Sequence, residues 1–407
     1  MGTLRPFRAL RPLPDLAAQI AAVPYDVVNR DEAAALAAGN PLSFLHVSRA
    51  EIDLPPDTNP YADAVYARAA ENFAGLRGSM VEEATPSVYF YRLRMGPHAQ
   101  TGLAACYSVD EYNRDVIKKH EKTRKEKEDD RTRHIIDLRA QTGPVFLTYR
   151  HSARVDEIAA RVCAGAPLYD VTAPDDVTHT VWRADEAATR DLVEAFAALP
   201  ALYIADGHHR AASAARAHDR FGGAPGSVAD AEHAWFLAVA FPDNQTQILP
   251  YNRVVKDLAG RAPEAFLAAV RERFAVEPGR PAPARKGLCQ LYLGRRWYTV
   301  ALLPPNAPAS ADPIASLDVS LLQDGLLAPV LGILDPRTDK RIDFVGGIRG
   351  TGELERLVDS GAAAVAFSMF PVTVGELMAI ADAGAIMPPK STWFEPKLRD
   401  GLLNHVI

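Results

Sequence analysis

The sequence of 407 residues has few cysteines, no long apolar run and no excess of positive charge. Its three cysteines, Cys106, Cys163 and Cys289, lie far apart and form no metal-binding spacing, as is usual for proteins of a reducing cytoplasm. The longest apolar runs, such as GAAAVAFSMFPV, are too short to span a bilayer. The first residues, MGTLRPFRALRPLPD, contain no apolar segment of the signal-peptide type. We therefore expect a cytoplasmic protein with no membrane partner.

The charge balance is slightly acidic, because 45 lysines and arginines face 51 aspartates and glutamates, a formal net charge of −6. This balance gives no reason to expect a nucleic-acid partner. The length exceeds that of one ordinary hydrophobic core. We predict an N-terminal α/β region at 1–105, a core region at 106–240 that carries the site, and a C-terminal α/β region at 241–407 with a docked tail. The oligomeric state is left open.

Strand-like and helix-like patterns alternate along the chain, which predicts a mixed α/β fold. SVYFYRLRM and GLAACYSVDEY read as two strands of a hairpin, and GPVFLTYR and AWFLAVAFP as buried strands. YADAVYARAAENFAGLRG and EAATRDLVEAFAAL have helical periodicity, and Asn29 or Asp31 is placed to cap the helix that contains EAAALAAG. SLDVSLLQDGLLAPVLG is predicted to form one helix near the C-terminal end.

The segment ALYIADGHHRAASAARAH combines an apolar strand pattern, a charged loop and an alanine-rich helix. Gly207 allows a positive φ and a close approach of a ligand to the backbone. The free N–H groups at the start of the helix, near His209, form an anion site. Arg210 adds a planar fork of donors that suits phosphate. The loop therefore predicts a phosphate cradle, with Asp206 placed to hold Mg²⁺ or to orient a histidine.

Two other interpretations of this loop remain open. The first is a structural turn whose polar side chains are exposed. The second is a zinc site built on His208 and His209. Adjacent histidines diverge on a regular helix or strand, and neither a cysteine nor a histidine at helical i, i+4 spacing is nearby, so the zinc interpretation is the weaker.

A second cluster, in the sequence IKKHEKTRKEKEDDRTRH, contains His120, Glu121, Lys122 and Thr123. Lysines on both sides of Glu121 favour its ionised form. A carboxylate beside an anion site can accept a proton from a hydroxyl group, and lysines can stabilise phosphate charge. The alternative is a solvated helix whose charges pair at i, i+4, for example Glu121 with Lys125.

The two motifs together resemble a known superfamily. DGHHRAASA is similar to the loop–helix signature of the ParB/sulfiredoxin-like superfamily, and most of all to the Asp-Gly-His-x-Arg form of its free serine kinases. VIKKHEKT resembles the Ile-x-x-His-Glu motif of those kinases, and the two motifs occur in the same order. Over nearly the whole length, the segments VPYDVV, HEKT, IADGHHR and MPPKSTWFEPK also resemble a bacterial family with a domain of unknown function.

The resemblance implies a ParB/sulfiredoxin-like core at 106–240, with additional α/β regions on both sides. It also implies phosphoryl transfer from ATP or ADP to the hydroxyl of free serine or a similar small metabolite, with Mg²⁺. The catalytic glutamate of the kinases falls on Glu121, beside His120, and Asp206 is the candidate metal ligand. The candidate phosphate- and nucleotide-binding residues are Asp206, Gly207, His208, His209, Arg210, Lys122 and Thr123.

The sequence departs from the kinase pattern in ways that leave the acceptor open. The insertion YDVTAPDDVTHTVWRADEAATRD separates the motifs, and both ends of the chain carry extra regions. Two alternatives therefore stand beside the kinase: a nucleotide-binding regulatory protein without turnover, and a phosphatase-like hydrolase that uses the same loop. Sulfiredoxin chemistry is disfavoured because a histidine replaces the loop cysteine, and ParB-type DNA binding because the chain is acidic and has no helix-turn-helix pattern.

Two further segments carry candidates. Tyr25 and Asp26 lie in VPYDVV, either at the site or packed at the end of a strand. MPPKSTWFEPK offers Lys390, Ser391 and Thr392 to a ligand, although its prolines and tryptophan are more typical of a packed tail.

Overall fold

The computed structural model describes residues 3–222, 231–303 and 312–407. It forms two compact units, one of Met1–Thr246 with Pro396–Ile407 and the other of Gln247–Glu395. Both contain helices and a sheet, so the predicted mixed α/β class is confirmed. No helix in the described ranges is both long and apolar enough to cross a bilayer.

The first unit contains strands and helices that alternate along the chain. Its strands are β1 (Leu4–Arg5), β2 (Leu10–Pro12), β3 (Met80–Glu82), β4 (Tyr89–Met95), β5 (His98–Ser108), β6 (Ile117–Lys118), β7 (Ala140–Gln141), β8 (Val145–Tyr149), β9 (Tyr169–Thr172), β10 (Thr178–Arg183), β11 (Leu202–Asp206) and β12 (Trp235–Pro242). Its α-helices are α1 (Ala17–Ile20), α2 (Arg30–Ala37), α3 (Leu45–Ser48), α4 (Asp63–Leu76), α5 (Val109–Asn113), α6 (Lys125–Leu138), α7 (Ala153–Cys163), α8 (Glu186–Ala197) and α9 (His208–Arg220).

A nine-stranded mixed sheet organises this unit. The strand order is β6-β11-β8-β12-β5-β4-β10-β9, and β1 pairs with β5. The predicted hairpin is present as β4 and β5, with Met95 opposite His98. Strand β11 pairs parallel to β6 and antiparallel to β8, so this side of the sheet contains strands of both directions.

Helix α9 lies against the central strands β8 and β12 and against α6. Its alanines Ala211, Ala214 and Ala217 are almost fully buried, because small side chains let the helix approach the sheet closely. Helix α2 begins at the predicted cap: Asn29 accepts from the backbone N–H of Glu32, and the Glu32 side chain accepts from the backbone N–H of Asn29. This reciprocal pair satisfies two N–H groups that the helix itself leaves free.

The second unit has its own sheet and helices. Its strands are β13 (Ile248–Leu249), β14 (Tyr251–Val255), β15 (Ala275–Pro278), β16 (Leu288–Leu293), β17 (Arg296–Ala301), β18 (Ile342–Gly346), β19 (Val365–Met369) and β20 (Trp393–Phe394), and its α-helices are α10 (Pro263–Arg271), α11 (Asp318–Leu322), α12 (Ala328–Leu331), α13 (Gly350–Asp359) and α14 (Val374–Asp382). Six strands follow the order β15-β17-β16-β19-β14-β18. The helix predicted from SLDVSLLQDGLLAPVLG is present as one continuous helical run at 318–331, in which a π-helical turn at Gln323–Leu327 lies between α11 and α12.

After the second unit the chain returns to the first. The last strand, β21 (His405–Val406), pairs antiparallel with β7. The large sheet contains strands from both sides of residue 105. The division into regions 1–105, 106–240 and 241–407 stays a prediction.

Candidate functional site

The two sequence motifs lie at the same edge of the sheet because of how their strands pair. The His120–Glu121 motif follows β6, and the loop at Gly207 follows β11, its parallel neighbour, with Leu202 opposite Ile117. The carboxyl ends of parallel neighbours face the same way. Strand β8 runs antiparallel to β11, so its amino end and the preceding Pro144 also lie at this edge. Three loops thus converge on one place.

Gly207 makes the sharp turn between β11 and α9. Asp206 is the last residue of the strand, Gly207 has φ 92° and ψ 30°, and His208 begins the helix. A Cβ atom at position 207 would lie 2.9 Å from Nε of Arg210. Only glycine combines this backbone conformation with this close approach. The N–H of Gly207 donates to Oδ1 of Asp206 at 2.9 Å, which fixes the loop at the start of the helix.

Arg210 is held inside the unit rather than extended into solvent. Its residue is 8% exposed, Nη1 donates to the carbonyl oxygen of Pro144, and Nη2 lies 3.5 Å from Oδ2 of Asp206 and 3.9 Å from Oδ2 of Asp26. Burial lowers the pKa of the guanidinium, but Asp26 and Asp206 outweigh burial and raise it. The guanidinium therefore stays charged. Its Nε is buried and has no hydrogen-bond partner within the described residues.

Asp206 carries a second cation on the same oxygen. Nζ of Lys397 donates to Oδ2 of Asp206 at 3.2 Å, and the Lys397 side chain is 17% exposed. Burial would raise the pKa of Asp206, but the charges of Lys397 and Arg210 prevail and lower it. Asp206 is therefore an ionised carboxylate between two cations.

The histidines connect the loop to the second motif. His208 is buried, and this burial holds its pKa well below the usual value. Its Nε2 accepts from the backbone N–H of His120 at 3.4 Å, so the neutral ring carries its proton on Nδ1. That atom lies 3.8 Å from Oε2 of Glu121. The ring of His120 stands edge-on to that of His208 at 4.4 Å, and burial lowers the pKa of His120 to about 4.

The remaining predicted residues lie around this contact. The Glu121 side chain is 57% exposed, so its carboxylate is accessible to a substrate. Lys122 is exposed in the segment that leads to α6, and Thr123 Oγ1 donates to the Glu128 carboxylate. Nε2 of the half-buried His209 accepts from the backbone N–H of Arg124 at 3.1 Å, which joins the first turn of α9 to the segment before α6.

Arg210 is surrounded by four further residues, Tyr25, Asp26, Arg131 and Asp400, of which only Tyr25 and Asp26 are candidates from the sequence. Tyr25, Arg131, Arg210 and Asp400 line a cavity of about 40 Å³, and Asp26 contacts Arg210 as described. The guanidinium of Arg131 lies 4.1 Å from the centre of the Tyr25 ring. Burial raises the pKa of Asp400 to about 7, although Arg210 opposes the shift. Sequence spacing gave no signal for Arg131, because it lies within a dense run of charges.

The C-terminal candidates divide between the two units. Lys390 and Ser391 lie in the second unit, where Nη2 of Arg253 donates to the carbonyl oxygen of Lys390 at 3.2 Å and Oγ of Ser391 donates to that of Pro388 at 2.7 Å. Lys397 lies in the first unit beside Asp206. The segment was thus singled out in the sequence, but the lysine that reaches the loop has no periodic pattern around it.

The donor set does not match a protein-built zinc site. In residues 3–222, 231–303 and 312–407, no group of three or more histidine, cysteine, aspartate or glutamate side chains is arranged to hold a metal ion. Nε2 of His208 and Nε2 of His209 accept from two different backbone N–H groups, and their rings are used separately. Asp206 is the carboxylate that belongs to the loop itself, and Glu121 and Asp26 approach it from other segments.

Several solved structures are similar to this chain at low identity. Free serine kinase in complex with AMP is 12% identical, over 71% of this chain and 89% of that one, with a TM-score of 0.34. A conserved hypothetical protein from Pyrococcus furiosus is 13% identical, over 71% and 91%, with a TM-score of 0.34. SbnI with a C-terminal truncation from Staphylococcus aureus is 11% identical, over 73% and 85%, with a TM-score of 0.36.

Sequence comparison identifies the family of this chain. No curated protein matches it. One family model, described as "Protein of unknown function (DUF1015)", matches residues 4–320, which include both motifs and the whole of the nine-stranded sheet. The chain therefore belongs to the DUF1015 family.

Proposed function

We propose that this protein is a nucleotide-dependent phosphotransferase whose acceptor is free serine or a similar small hydroxylated metabolite. The observation that carries the proposal is the 3.8 Å approach of Glu121 Oε2 to His208 Nδ1. It brings the candidate proton acceptor to the candidate phosphate loop, although the two motifs are distant in sequence. A solvated charged helix would not require this meeting.

The loop has the groups that a bound phosphate needs. The N–H groups in the first turn of α9 and the positive end of the helix dipole favour an anion there. Arg210 supplies a charged guanidinium that Asp206 and Pro144 keep in one orientation. Phosphoryl transfer depends mainly on such positioning and charge stabilisation.

Glu121 is the proposed general base. As the acceptor hydroxyl oxygen forms its bond to phosphorus, the bond from phosphorus to the nucleotide's leaving oxygen breaks, and the hydroxyl proton passes to the Glu121 carboxylate. His208, with its proton on Nδ1, orients that carboxylate. His120 is buried against His208, and we assign it a positioning role.

The Asp206 carboxylate fits a Mg²⁺ site of the kind that uses one protein ligand together with water and nucleotide phosphates. When bound, the ion neutralises phosphate charge. ATP or ADP is the proposed donor, and Lys122 and Thr123 are the remaining proposed nucleotide contacts. A ParB/sulfiredoxin-like core within 106–240 belongs to the same proposal, supported by the DGHHR and HEKT motifs.

The test is to incubate the protein with Mg²⁺, ATP or ADP and a pool of small alcohols that includes serine, and to detect new phosphate esters by mass spectrometry. Glu121→Gln keeps the shape of the side chain but removes the base. We expect this variant to bind nucleotide almost normally and to lose roughly 10²–10⁴-fold in rate. Arg210→Ala should weaken nucleotide binding and slow transfer together, and Arg210→Lys should retain part of both.

Glu126→Gln is the matched control, because Glu126 is exposed in the first turn of α6. It should turn over at the wild-type rate. Near-wild-type turnover in Glu121→Gln would remove this residue from the mechanism. Nucleotide binding without any ester would favour the regulatory alternative, and release of inorganic phosphate alone would favour the hydrolase.

A further inference from the structure

Lys397 lies in a C-terminal segment that is fixed to the first unit at several points. The backbone groups of Asp400 and Ala22 exchange hydrogen bonds of 2.9 and 3.2 Å. The Asn404 side chain donates to the carbonyl oxygen of Leu10 at 2.9 Å, and the backbone N–H of Arg399 donates to the hydroxyl of Tyr91 at 3.4 Å. These contacts hold the backbone next to Lys397, so the fold determines the point from which its side chain extends.

The Lys397 ammonium group shares one carboxylate with the loop. Oδ2 of Asp206 accepts from Nζ of Lys397, and Oδ1 of the same carboxylate accepts from the N–H of Gly207. Nζ is therefore separated from the first loop amide only by the width of a carboxylate. A phosphate chain bound at the loop would come within reach of this side chain, which has a flexible four-carbon stem.

Arg210 and Lys397 differ in their freedom to move. Arg210 is 8% exposed and is anchored by the carbonyl oxygen of Pro144. Lys397 has a 17% exposed side chain on a flexible stem, and Asp206 is one of its partners. When a polyphosphate binds, Arg210 can contact the phosphate at the start of α9. Lys397 can then leave Asp206 and donate to another phosphate.

We propose that Lys397 is a further phosphate-binding residue, which donates to the second or third phosphate of a nucleotide bound at the 206–210 loop. The inference rests on the loop assignment made under the proposed function. In the structure the ammonium group is bonded to Asp206, and on binding it turns to a phosphate oxygen. Oδ2 of Asp206 then loses one of the two cations that contact it, which would leave room for Mg²⁺ beside the carboxylate. The residue thereby selects ligands with more than one phosphate.

The experiment measures the dissociation constants of AMP, ADP, ATP, inorganic phosphate and tripolyphosphate, each with Mg²⁺, by calorimetry. Lys397→Met should weaken ATP and tripolyphosphate binding by about tenfold or more, the usual effect of a lost charge-assisted hydrogen bond. AMP and phosphate affinities should change by less than about threefold, which in free energy is about half of a tenfold effect. Lys397→Arg should restore part of the loss.

Lys256→Met is the control, because Lys256 is exposed in the second unit and its Nζ donates to the carbonyl oxygen of Lys340 at 2.9 Å. It should change none of these constants. The ratio of ATP to AMP affinity is the decisive readout, since a merely structural role for Lys397 would weaken both ligands equally. An unchanged ratio in Lys397→Met overturns the inference but leaves nucleotide binding intact. If the wild type binds tripolyphosphate but not ATP, the proposed nucleotide function is overturned, and the tripolyphosphate affinity of Lys397→Met still tests the role of Lys397. Binding of neither would overturn both.

Discussion

The titratable groups behind the loop are arranged so that one carboxyl is poorly solvated. Asp400 is 2% exposed, and burial raises its pKa to about 7 while Arg210 and Arg131 oppose the rise and Asp26 adds to it. Arg210 is already shared with Asp206 and Asp26, so it offsets the burial of Asp400 only in part. The Asp400 carboxyl therefore ionises only as the pH approaches neutrality.

This arrangement predicts a pH dependence of stability. An acid whose pKa is higher in the folded than in the unfolded chain binds more protons when folded, so the free energy of unfolding falls as pH rises between the two values. For Asp400 the window runs from about 4, the ordinary value of an aspartate, to about 7. Asp400→Asn should remove this dependence and gain roughly 2–4 kcal/mol on the wild type between pH 4 and pH 8.

Urea unfolding of both proteins at several pH values checks this expectation. The control is Asp31→Asn, which changes an exposed carboxyl of α2 and should give a curve parallel to that of the wild type. A stability difference between wild type and Asp400→Asn that stays constant from pH 4 to pH 8 would show that Asp400 titrates normally.

At the scale of elements, the sequence predicts the pieces of the site better than their surroundings. The change from LYIA to helix-period alanines across Gly207 located the junction of β11 and α9, because the strand pattern, the glycine and the helix pattern are all local. The π-helical turn at Gln323–Leu327 within the C-terminal helix is not predicted by the sequence. The ring of Phe274 would lie 2.5 Å from a Cβ at Gly325, and such a distant neighbour leaves no trace in local periodicity.

The junction gives a prediction about Gly207→Ala. A Cβ there would be strained at φ 92° and would lie 2.9 Å from Nε and 3.0 Å from Cζ of Arg210. The variant should lose about 1–2 kcal/mol of stability from the backbone alone. It should also lose phosphate and nucleotide binding, because the displaced guanidinium leaves Asp206 and Pro144.

Gly222→Ala is a matched control near the other end of α9. Gly222 also has a positive φ, 87°, but a Cβ there would meet nothing within 4 Å. Both variants should be destabilised by backbone strain, measured by thermal unfolding, and Gly207→Ala the more because it also displaces Arg210. Only Gly207→Ala should fail in nucleotide titrations. Equal nucleotide affinity in the two variants would show that the loop at Gly207 is not part of the nucleotide site.

At the scale of the whole molecule, the C-terminal segment shows why the sequence alone was insufficient. The tail containing WFEPKLRD was expected to dock, but which side chain would reach the loop depends on a pairing with Ala22 and Leu10, hundreds of residues earlier. The approach of Glu121 to the loop was foreseen only through the resemblance. The pairing of β6 with β11 that produces it involves two residues of β6, too few for a periodic signal.

The same segment predicts the behaviour of a chain that ends at Glu395. Leu398, Leu402 and Leu403 are between 0% and 3% exposed, and burying each such side chain contributes about 1.5–3 kcal/mol. Their loss together approaches the whole stability of an ordinary domain, about 5–15 kcal/mol. The first unit of the shortened chain should therefore lose most of its protection in hydrogen-exchange mass spectrometry. The second unit, Gln247–Glu395, keeps all its residues and should stay protected.

The full chain with Lys397→Met keeps the three leucines and should be protected throughout. A shortened chain with undiminished protection in β8, β11 and β12 would show that these leucines do not support the first unit.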